Sequence, residues 1–381
     1  MAHSVLDTPI CSQLGISLPI LGAPMGRVSG PELASAVSNA GGLGILGHAN
    51  IDLDEMRQQL RRTKALTDHP FGVGLLFPNR TSGDDQVTVA SAGPTPELPT
   101  FLTHLAGGAP ATTTRASTGP QFDVDLAMAR LDIAVDEGVA ALACGLGTPP
   151  EVVNLAHAAG MVVVSLVGSR RTALEVEAAG ADIIVAQGHE AGGHTGRTTT
   201  FILVPQIVDA VKVPVVAAGG VVDGRGLAAA LMLGAQGVLV GTRLLATPEA
   251  VTADVHKQRV VGMADDETTV SSCYTGKPSR VLRNAYTDAW RGHESEIRPM
   301  PQQWELVEQL VRPAKEAGSL DVANWPTGQG AVLVHEVGPA AAVVADMAAQ
   351  AAAVLGDVAS REVRGPDHDA GTHDASGLVE T

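Results

Sequence analysis

Short β-branched apolar runs, each followed by a segment with helical spacing, recur along the first two thirds of the chain. This alternation is typical of βαβ units. Seven helix-like segments separate the runs, and several of them end in glycine, the usual helix C-cap. The pattern predicts an α/β fold, a (β/α)₈ TIM barrel whose active site lies at the C-terminal strand ends. The eight runs span residues 18–24, 43–46, 71–77, 139–144, 161–167, 181–186, 213–218 and 237–241.

An open, doubly wound sheet is the alternative architecture, but it would normally contain fewer strands. The 381 residues also fit a barrel with an attachment, because α/β barrels routinely take more than 200 residues into one domain. We therefore expect a barrel that carries a small C-terminal lid or substrate domain, inserted before the last barrel helix.

Breaker-rich and polar stretches divide the chain further. A Pro-, Gly-, Thr- and Ser-rich stretch after the third strand predicts a loop insertion, and loops of this length are usually functional covers or disordered. The C-terminal segment lacks apolar periodicity, which predicts a disordered tail. The predicted units are a barrel unit at 1–247 with the insertion at 78–122, a lid at 248–327, the final barrel helix within 328–355 and the tail at 356–381.

Charge and cysteine usage limit the partners. A formal net charge of −16 argues against nucleic acid, which is bound by basic surfaces, and favours a small-molecule substrate. Cys11, Cys144 and Cys273 form no CxxC, so neither a disulfide framework nor a zinc site is predicted. No signal-peptide pattern and no run of roughly 18 apolar residues is present, so we expect a cytoplasmic protein without a membrane partner. The oligomeric state stays open, and a homo-oligomer is compatible with the sequence.

Glycines close the last two predicted strands. Ala218, Gly219 and Gly220 close the seventh strand, and Gly241 and Thr242 close the eighth. Barrels commonly bind phosphate at these loops, where backbone N–H groups and a short helix N-terminus face the oxygens. The spacing suits one phosphate held from both sides, although glycines at one strand end alone could simply turn the chain. No GK[ST] follows, so this is not a nucleotide P-loop.

The stretch QGHEAGGHTG at 187–196 follows the sixth strand, and its glycines predict irregular backbone. His189, Glu190 and His194 resemble a zinc-protease motif at first sight. The spacing is wrong, however, because HExxH needs two histidines four residues apart on a helix, and these lie five apart with two glycines between them. Metal binding by the three side chains in another geometry remains an alternative.

The same glycines can bring backbone close to a flat ring. His194 would then act as general base on a carbon made acidic by its substituent, a role that suits imidazole near neutral pH. The alternative is a loop histidine that hydrogen-bonds its neighbours, which is the interpretation we give His189. The first strand ends in the turn GAPMG (22–26), whose main chain could lie along a ring edge.

These motifs together resemble the flavin-dependent nitronate monooxygenases, formerly called 2-nitropropane dioxygenases. The resemblance rests on ILGAPMG, QGHEAGGHTG, AAGG, the GT after the eighth strand and GQGA, and it covers most of 15–355 apart from the insertion. It implies FMN held without a covalent bond and His194 as the catalytic base, with no metal and no nicotinamide. The FMN phosphate would lie at Gly219, Gly220, Gly241 and Thr242, and the ring against Ala23, Pro24, Met25, Gln187, Gly192 and Gly193.

The reaction that the resemblance implies begins when an alkyl nitronate gives one electron to FMN, which forms a flavin semiquinone. Dioxygen then reoxidises the flavin, and the substrate breaks down to a carbonyl compound and nitrite. A neutral nitroalkane would first lose its α-proton to His194. Three departures from the family pattern stand out. Gly74 stands where many relatives have Asn, and the 78–122 segment is an insertion. Thr195 stands where Arg is frequent, and Arg197 two residues later could substitute for that Arg.

Two other functions remain open at this point. Flavin-dependent NAD(P)H:quinone reductases and enoyl-thioester reductases share the barrel and the GGH element, and fold analogy cannot separate them from nitronate oxidation. A flavin-free protein that binds a phosphate ligand is the third hypothesis. In the lid, Tyr274, Lys277 or Arg280 could attract an anionic nitronate, although such charges are more often solvated.

Overall fold

The computed structural model describes residues 5–48, 51–77, 97–106 and 124–361. Eight parallel strands form a sheet in the order β1-β9-β8-β6-β5-β4-β3-β2, and a bridge between Leu21 and Leu43 closes it into a barrel. Each predicted run overlaps one barrel strand, so the (β/α)₈ prediction is confirmed. The strands described are β1 Ile20–Gly22, β2 Gly44–Gly47, β3 Phe71–Leu76, β4 Ala141–Gly145, β5 Val162–Val167, β6 Ile183–Gln187, β7 Gly193–His194, β8 Val215–Ala218, β9 Gly237–Val240, β10 Thr268–Ser271 and β11 Ser279–Leu282.

Helices α2 to α8 alternate with the barrel strands and cover the outside of the barrel. The helices of the described residues are α1 Pro9–Leu14, α2 Pro31–Asn39, α3 Leu53–Leu66, α4 Val124–Asp136, α5 Pro150–Ala158, α6 Arg170–Ala178, α7 Thr200–Val208, α8 Gly224–Met232, α9 Thr242–Leu245, α10 Asp254–Val260, α11 Ala285–Ala289, α12 Gln302–Glu316 and α13 Ala340–Ser360. Leu21, Ile45, Val164, Val216 and Leu239 belong to the cluster that fills the barrel interior. Strands buried on both faces read as continuous apolar runs, which is why the sequence predicted them well.

The lid segment builds a second, three-stranded sheet on the catalytic face. Strand β10 pairs antiparallel with β11, and β11 pairs antiparallel with β7. Gln187 ends β6, so the prediction of irregular backbone throughout 187–196 is wrong there. It is also wrong at Gly193 and His194, which form β7. The hydrogen-bonding edge that makes them a strand comes from Ser279 and Arg280, far away in the sequence, and no local pattern contains it.

The lid has an aromatic core of its own, which includes Tyr274, Tyr286 and Trp290. The described part of the predicted insertion packs on this core. Leu102 is fully buried there, and the Phe101 ring stacks on His293 at 3.9 Å between ring centroids. At 97–106 the insertion thus contacts the lid, and the rest of 78–122 lies outside the described residues.

Helix α13 packs against α8 and α2 and completes the outer layer. It ends at Ser360, so the disordered tail predicted from 356 is wrong for 356–360. At its end Gly356 is in open space, and Arg361 pairs with Asp357 one turn back, at 2.7 Å. Residues 362–381 lie outside the described part of the chain.

Among the described helices, α13 alone is long and apolar enough to cross a membrane by length and composition. Its buried residues nevertheless recur with helical spacing, as in Val343, Met347 and Ala351, and this stripe faces the barrel. A Cβ at Gly224 of α8 would lie 2.4 Å from the Met347 carbonyl oxygen, so the two helices are in close backbone contact. This packing is what the last helix of a barrel requires.

Candidate active site

A cavity of about 2370 Å³ opens at the C-terminal ends of the barrel strands and continues beneath the lid. This is the end of the barrel at which TIM-barrel enzymes carry their active sites. The structure brings all the predicted site residues together here. The cavity wall includes Ala23, Pro24, Met25, Gln187, Gly192, Gly193, His194, Ala218, Gly219, Gly220, Gly241 and Thr242.

The loops after β8 and β9 form a cradle of free backbone donors. They are neighbours because β8 and β9 pair, with Ala218 opposite Leu239. Gly219 and Gly220 adopt φ of 94° and 73°, a conformation that side-chain-bearing residues rarely take. The N–H groups of Gly219, Gly220 and Thr242 have no acceptor within the described residues. Such a set of donors fits an anion such as a phosphate group.

The end of β1 meets this cradle from the other side of the cavity. A Cβ at Gly241 would lie 3.5 Å from both the Ala23 Cβ and the Met25 Sδ. A Cβ at Gly74 would lie only 2.2 Å from the Pro24 Cβ, so the Pro24 ring occupies the space that a side chain at 74 would need. In this chain a side chain at position 74 would therefore clash with the GAPMG turn.

Three contacts hold the His194 strand in place. The Gln187 side-chain amide donates to the His194 carbonyl oxygen, and β11 pairs with His194 through Ser279. On the other side, a Cβ at Gly192 would lie 2.7 Å from the backbone nitrogen of Gly328. Residue 192 must therefore be a glycine for the lid loop to reach this position.

The imidazole of His194 is oriented by Thr275 of the lid. His194 Nε2 lies 3.1 Å from Thr275 Oγ1, and the Thr275 hydroxyl donates to the Lys277 carbonyl oxygen at 3.1 Å. Because a hydroxyl has one proton to donate, this network assigns the shared proton to Nε2. Nδ1 has no partner among the described residues, so it is the nitrogen left to accept a proton.

The electrostatic surroundings keep this histidine neutral. Burial, together with the positive charge of Lys277, lowers the pKa of His194 from 6.5 to about 4. The ring is consequently unprotonated at neutral pH, which is the state that a general base requires. Lys277 itself lines the cavity, so a cation lies near the base.

Several residues of the site carry no local pattern that marks them. Tyr274 and Lys277 are candidates from the sequence, but Thr275 between them is not. The sequence suggests Glu190 only as a metal ligand, yet its carboxylate accepts from the Thr200 backbone N–H and hydroxyl, each at 2.9 Å, and ties the loop to the start of α7. Gly328 donates its N–H to Thr242 Oγ1 at 2.9 Å. The motif GQGA signalled this loop, but not which residue it contacts.

Other predicted candidates have structural contacts. Tyr274 is fully buried and its hydroxyl donates to the Val322 carbonyl oxygen, while the Arg280 guanidinium donates to the His189 carbonyl oxygen. His189 Nδ1 donates to the Gly196 carbonyl oxygen at 2.8 Å, which closes the loop. Arg197 lines the cavity and is exposed.

The metal-site alternative finds no support in the described part of the chain. No group of three or more His, Cys, Asp or Glu side chains is arranged there to hold an ion. The His189 ring binds the Gly196 carbonyl and the Glu190 carboxylate binds Thr200, so each candidate ligand has a different protein partner. Cys11, Cys144 and Cys273 are buried free thiols.

Comparison with known proteins identifies the family. The family model described as "Nitronate monooxygenase" matches residues 8–350. The chain belongs to the nitronate monooxygenase family. A nitronate monooxygenase of Paraburkholderia phytofirmans is 35% identical over 351 residues, which cover 88% of this chain and 92% of that protein. The family resemblance inferred from the motifs is thereby confirmed, and the chain is an oxidoreductase of this family.

Solved structures and a further relative widen the comparison. The nitroalkane oxidase of Streptomyces ansochromogenes has a TM-score of 0.77 at 32% identity and covers 91% of this chain and 99% of its own. FabK of Thermotoga maritima has a TM-score of 0.76 at 30% identity, with 93% and 99% covered. A Rhodococcus jostii (3aS,4S,5R,7aS)-5-hydroxy-7a-methyl-1-oxo-octahydro-1H-indene-4-carboxyl-CoA dehydrogenase is 36% identical over 279 residues; these cover 73% of this chain and 66% of that protein's length.

Proposed function

We propose that this protein is an FMN-dependent nitronate monooxygenase that oxidises alkyl nitronates with dioxygen to a carbonyl compound and nitrite. One observation carries the proposal: a neutral histidine with a free Nδ1 and a neighbouring cation shares a cavity with a cradle of backbone N–H donors. Of the hypotheses left open by the sequence, a nitronate oxidase makes use of all these features. No metal or nicotinamide takes part in this proposal.

The residues that would hold FMN are the predicted ones. The N–H groups at Gly219, Gly220 and Thr242 would receive the phosphate, and the glycines at 192 and 193 with the GAPMG turn would flank the ring. When bound, FMN supplies the electron acceptor for the nitronate and the route to dioxygen. The few aromatic side chains of the chain, 3% of its residues, fit a ring held mainly by backbone and aliphatic contacts.

His194 and Lys277 have different roles toward the substrate in this proposal. For a neutral nitroalkane, Nδ1 of His194 would take the α-proton, while Thr275 keeps the other nitrogen protonated. A base whose pKa is about 4 is weak. Proton removal by His194 is therefore slower than proton removal by a base whose pKa lies near 7. A substrate that is already a nitronate anion does not need the step, and Lys277 favours its negative charge. The site therefore favours nitronates over nitroalkanes.

Anaerobic mixing of the purified protein with an alkyl nitronate tests the proposal. We expect the protein to carry flavin and the flavin absorbance to change on mixing with the nitronate, but not with NADH or NADPH. Admission of dioxygen should restore the spectrum and release nitrite. A colourless protein would support the flavin-free binding hypothesis. Bleaching by a nicotinamide without any response to the nitronate would refute nitronate oxidation.

A reductase or dehydrogenase that acts on a thioester is the second candidate. Two observations favour it: the Rhodococcus jostii relative is named as a carboxyl-CoA dehydrogenase, and the cavity is larger than a small nitronate requires. This candidate predicts that NADH or NADPH reduces the flavin, or that an acyl-CoA does so, in the same anaerobic experiment.

A further inference from the structure

One face of helix α12 forms a long wall of the cavity. Trp304, Glu308, Val311, Arg312 and Lys315 all line it, at helical spacing. With a rise of 1.5 Å per residue, the wall from the first to the last of these residues is about 16 Å long. The cavity is therefore elongated along this helix.

The start of α12 lies next to the catalytic histidine. Gly276 follows Thr275, the residue that binds the His194 ring, and a Cβ at Gly276 would lie 2.5 Å from the Met300 backbone nitrogen. Met300 precedes the helix by two residues. Lys315 lies in the last turn, so the helix runs from the proton-accepting end of the cavity to a lysine at the far end.

Lys315 rests on an aromatic platform. Its Nζ lies 5.3 Å from the centroid of the Trp325 ring, a cation–π distance. The platform is rigid, because the Trp325 indole donates to the Ser319 carbonyl oxygen at 2.9 Å and the ring packs on His256 with 4.9 Å between centroids. Trp325 is buried, whereas Lys315 stays accessible from the cavity.

The charge of Lys315 is uncompensated. Within the described residues it forms no ion pair and no hydrogen bond, whereas Arg312 on the same wall pairs with Glu308 at 3.8 Å. Two buried polar atoms of cavity-lining residues also lack partners there, namely the Trp304 indole nitrogen on α12 and the Asn324 Oδ1 after it. An accessible ammonium that lines a cavity and has no counter-charge can form a charge-assisted hydrogen bond with an anionic ligand.

The cavity has room for such a ligand beside a cofactor. Pockets that bury a drug-sized ligand are about 300–1,000 Å³. The volume here, about 2370 Å³, exceeds that range more than twofold. A cofactor of ordinary size would leave space for a second, extended molecule, which a small nitroalkane would not fill.

We propose that the substrate is an extended molecule whose reacting carbon lies at His194 and whose distal end carries a carboxylate or phosphate that binds Lys315 on Trp325. The chain between the two ends lies along the cavity face of α12. This inference rests on the proposed function for the reacting end only; the anion subsite at Lys315 is a separate structural feature. The substrate class is therefore a long-chain molecule with an anionic terminus.

Binding of unreactive probes tests the subsite without any chemistry. Dodecanoate, its uncharged amide and dodecyl phosphate are titrated into the flavin-loaded full-length protein, and tryptophan fluorescence is recorded, since all three tryptophans lie in the lid. We expect an anionic probe to bind about tenfold more tightly than the amide, the effect of one hydrogen bond to a charged group. The carboxylate and phosphate arms show which anion the subsite prefers.

Variants assign the effect to the lysine. Lys315→Met should abolish the preference for anions, and Lys315→Arg should retain it. Lys212→Met, which removes an exposed lysine just before β8 at the opposite end of the barrel, should leave the preference unchanged. Equal affinity of the wild-type protein for dodecanoate and its amide would overturn the inference. Loss of FMN from Lys315→Met with unchanged anion preference would also overturn it, because Lys315 would then pair with the cofactor.

Turnover separates this inference from the proposed function. The nitronate of ω-nitrododecanoate should lose about tenfold in kcat/KM in Lys315→Met, while ethyl nitronate keeps its rate. If neither nitronate is oxidised by the wild-type protein, the proposed function fails, and the probe titrations still decide the subsite. If both nitronates lose the same factor in Lys315→Met, the selective role of Lys315 is refuted.

Discussion

At the scale of single residues, the chemistry of the site depends on the surroundings of one imidazole. A solvent-exposed histidine would be partly protonated near pH 6.5. Burial and Lys277 lower the pKa of His194 to about 4, and Thr275 holds Nε2, which leaves Nδ1 for the substrate. The imidazole is therefore neutral at neutral pH and lies near a positive charge, and in the proposed reaction it acts as a weak base. Such a residue suits substrates that arrive already ionised.

His194→Asn separates the base from the binding site. We expect flavin binding to be retained, because the asparagine is smaller and the backbone contacts of β7 remain. Turnover of a neutral nitroalkane should fall by about 10²–10⁴, the usual contribution of general base catalysis, and turnover of the nitronate anion by much less. Steady-state kcat/KM for both forms of one substrate is the measurement. Equal, small losses for both forms would remove the assignment of the base.

Lys277→Met should move the pH profile of the nitroalkane reaction. Loss of the positive charge removes one of the two causes that lower the pKa of His194, so that pKa rises from about 4 toward 6.5. The acid limb of the kcat/KM profile should move to higher pH by a measurable part of this interval. The shift is only partial because burial still lowers the pKa. Lys212→Met removes the same charge far from the site and serves as the control. An unshifted limb in Lys277→Met would contradict the electrostatic role.

At the scale of elements, the lid is part of the active site. Strand β11 pairs with β7, the lid residue Thr275 orients the base, and Gly328 from the loop before α13 contacts Thr242. The barrel supplies the backbone donors that we propose for a phosphate, and the lid supplies the contact that positions the imidazole. Each half would be incomplete alone.

Gly192→Ala should disrupt the contact between the two halves. The new Cβ would lie 2.7 Å from the Gly328 nitrogen and 2.9 Å from the Thr327 carbonyl carbon, and backbone atoms cannot move aside as a flexible side chain can. We expect a loss of about 1–3 kcal/mol in the free energy of unfolding, as for overpacking elsewhere, and weaker FMN binding. Urea denaturation and flavin titration measure the two effects. Unchanged values for both would show that this contact is loose.

Gly356→Ala should have the opposite effect on stability. Gly356 lies inside α13 and has open space at its Cβ position. An alanine there should stabilise the helix by up to about 1 kcal/mol, because glycine loses more backbone entropy on folding. A higher urea midpoint without any change in flavin affinity is the expected result. A destabilised variant would imply that the chain leaves the helix before residue 356, as the sequence suggested.

At the scale of the whole molecule, three histidines couple stability to pH. Burial is the main cause that lowers the pKa of His48, His194 and His256 from 6.5 to about 4. Unfolding exposes them and returns each pKa to 6.5, so between these values the unfolded chain binds more protons. The stabilising contribution is complete above pH 6.5 and is lost as the pH falls to about 4.

The melting temperature should therefore fall between pH 7 and pH 5, before most carboxylates titrate. Each histidine contributes up to about 1.4 kcal/mol per pH unit in this window. His256→Gln provides the control, because it keeps a hydrogen-bonding side chain between Thr252 and Thr327 but cannot be protonated. Its melting temperature should depend less on pH than that of the wild-type protein. An identical pH dependence would show that His256 is not the titrating group.

The sequence by itself determined the barrel and named the glycines and the histidine that the structure brings together in one cavity. These features are local: a buried parallel strand is a continuous apolar run, a left-handed turn needs glycine, and QGHEAGGHTG directly follows a strand. Only the tertiary structure decided that Gly193 and His194 form a strand, that Thr275 orients the imidazole and that Lys315 lies on Trp325. Each of these depends on contact between segments far apart in the chain, and the residues involved carry no local pattern that marks the pairing.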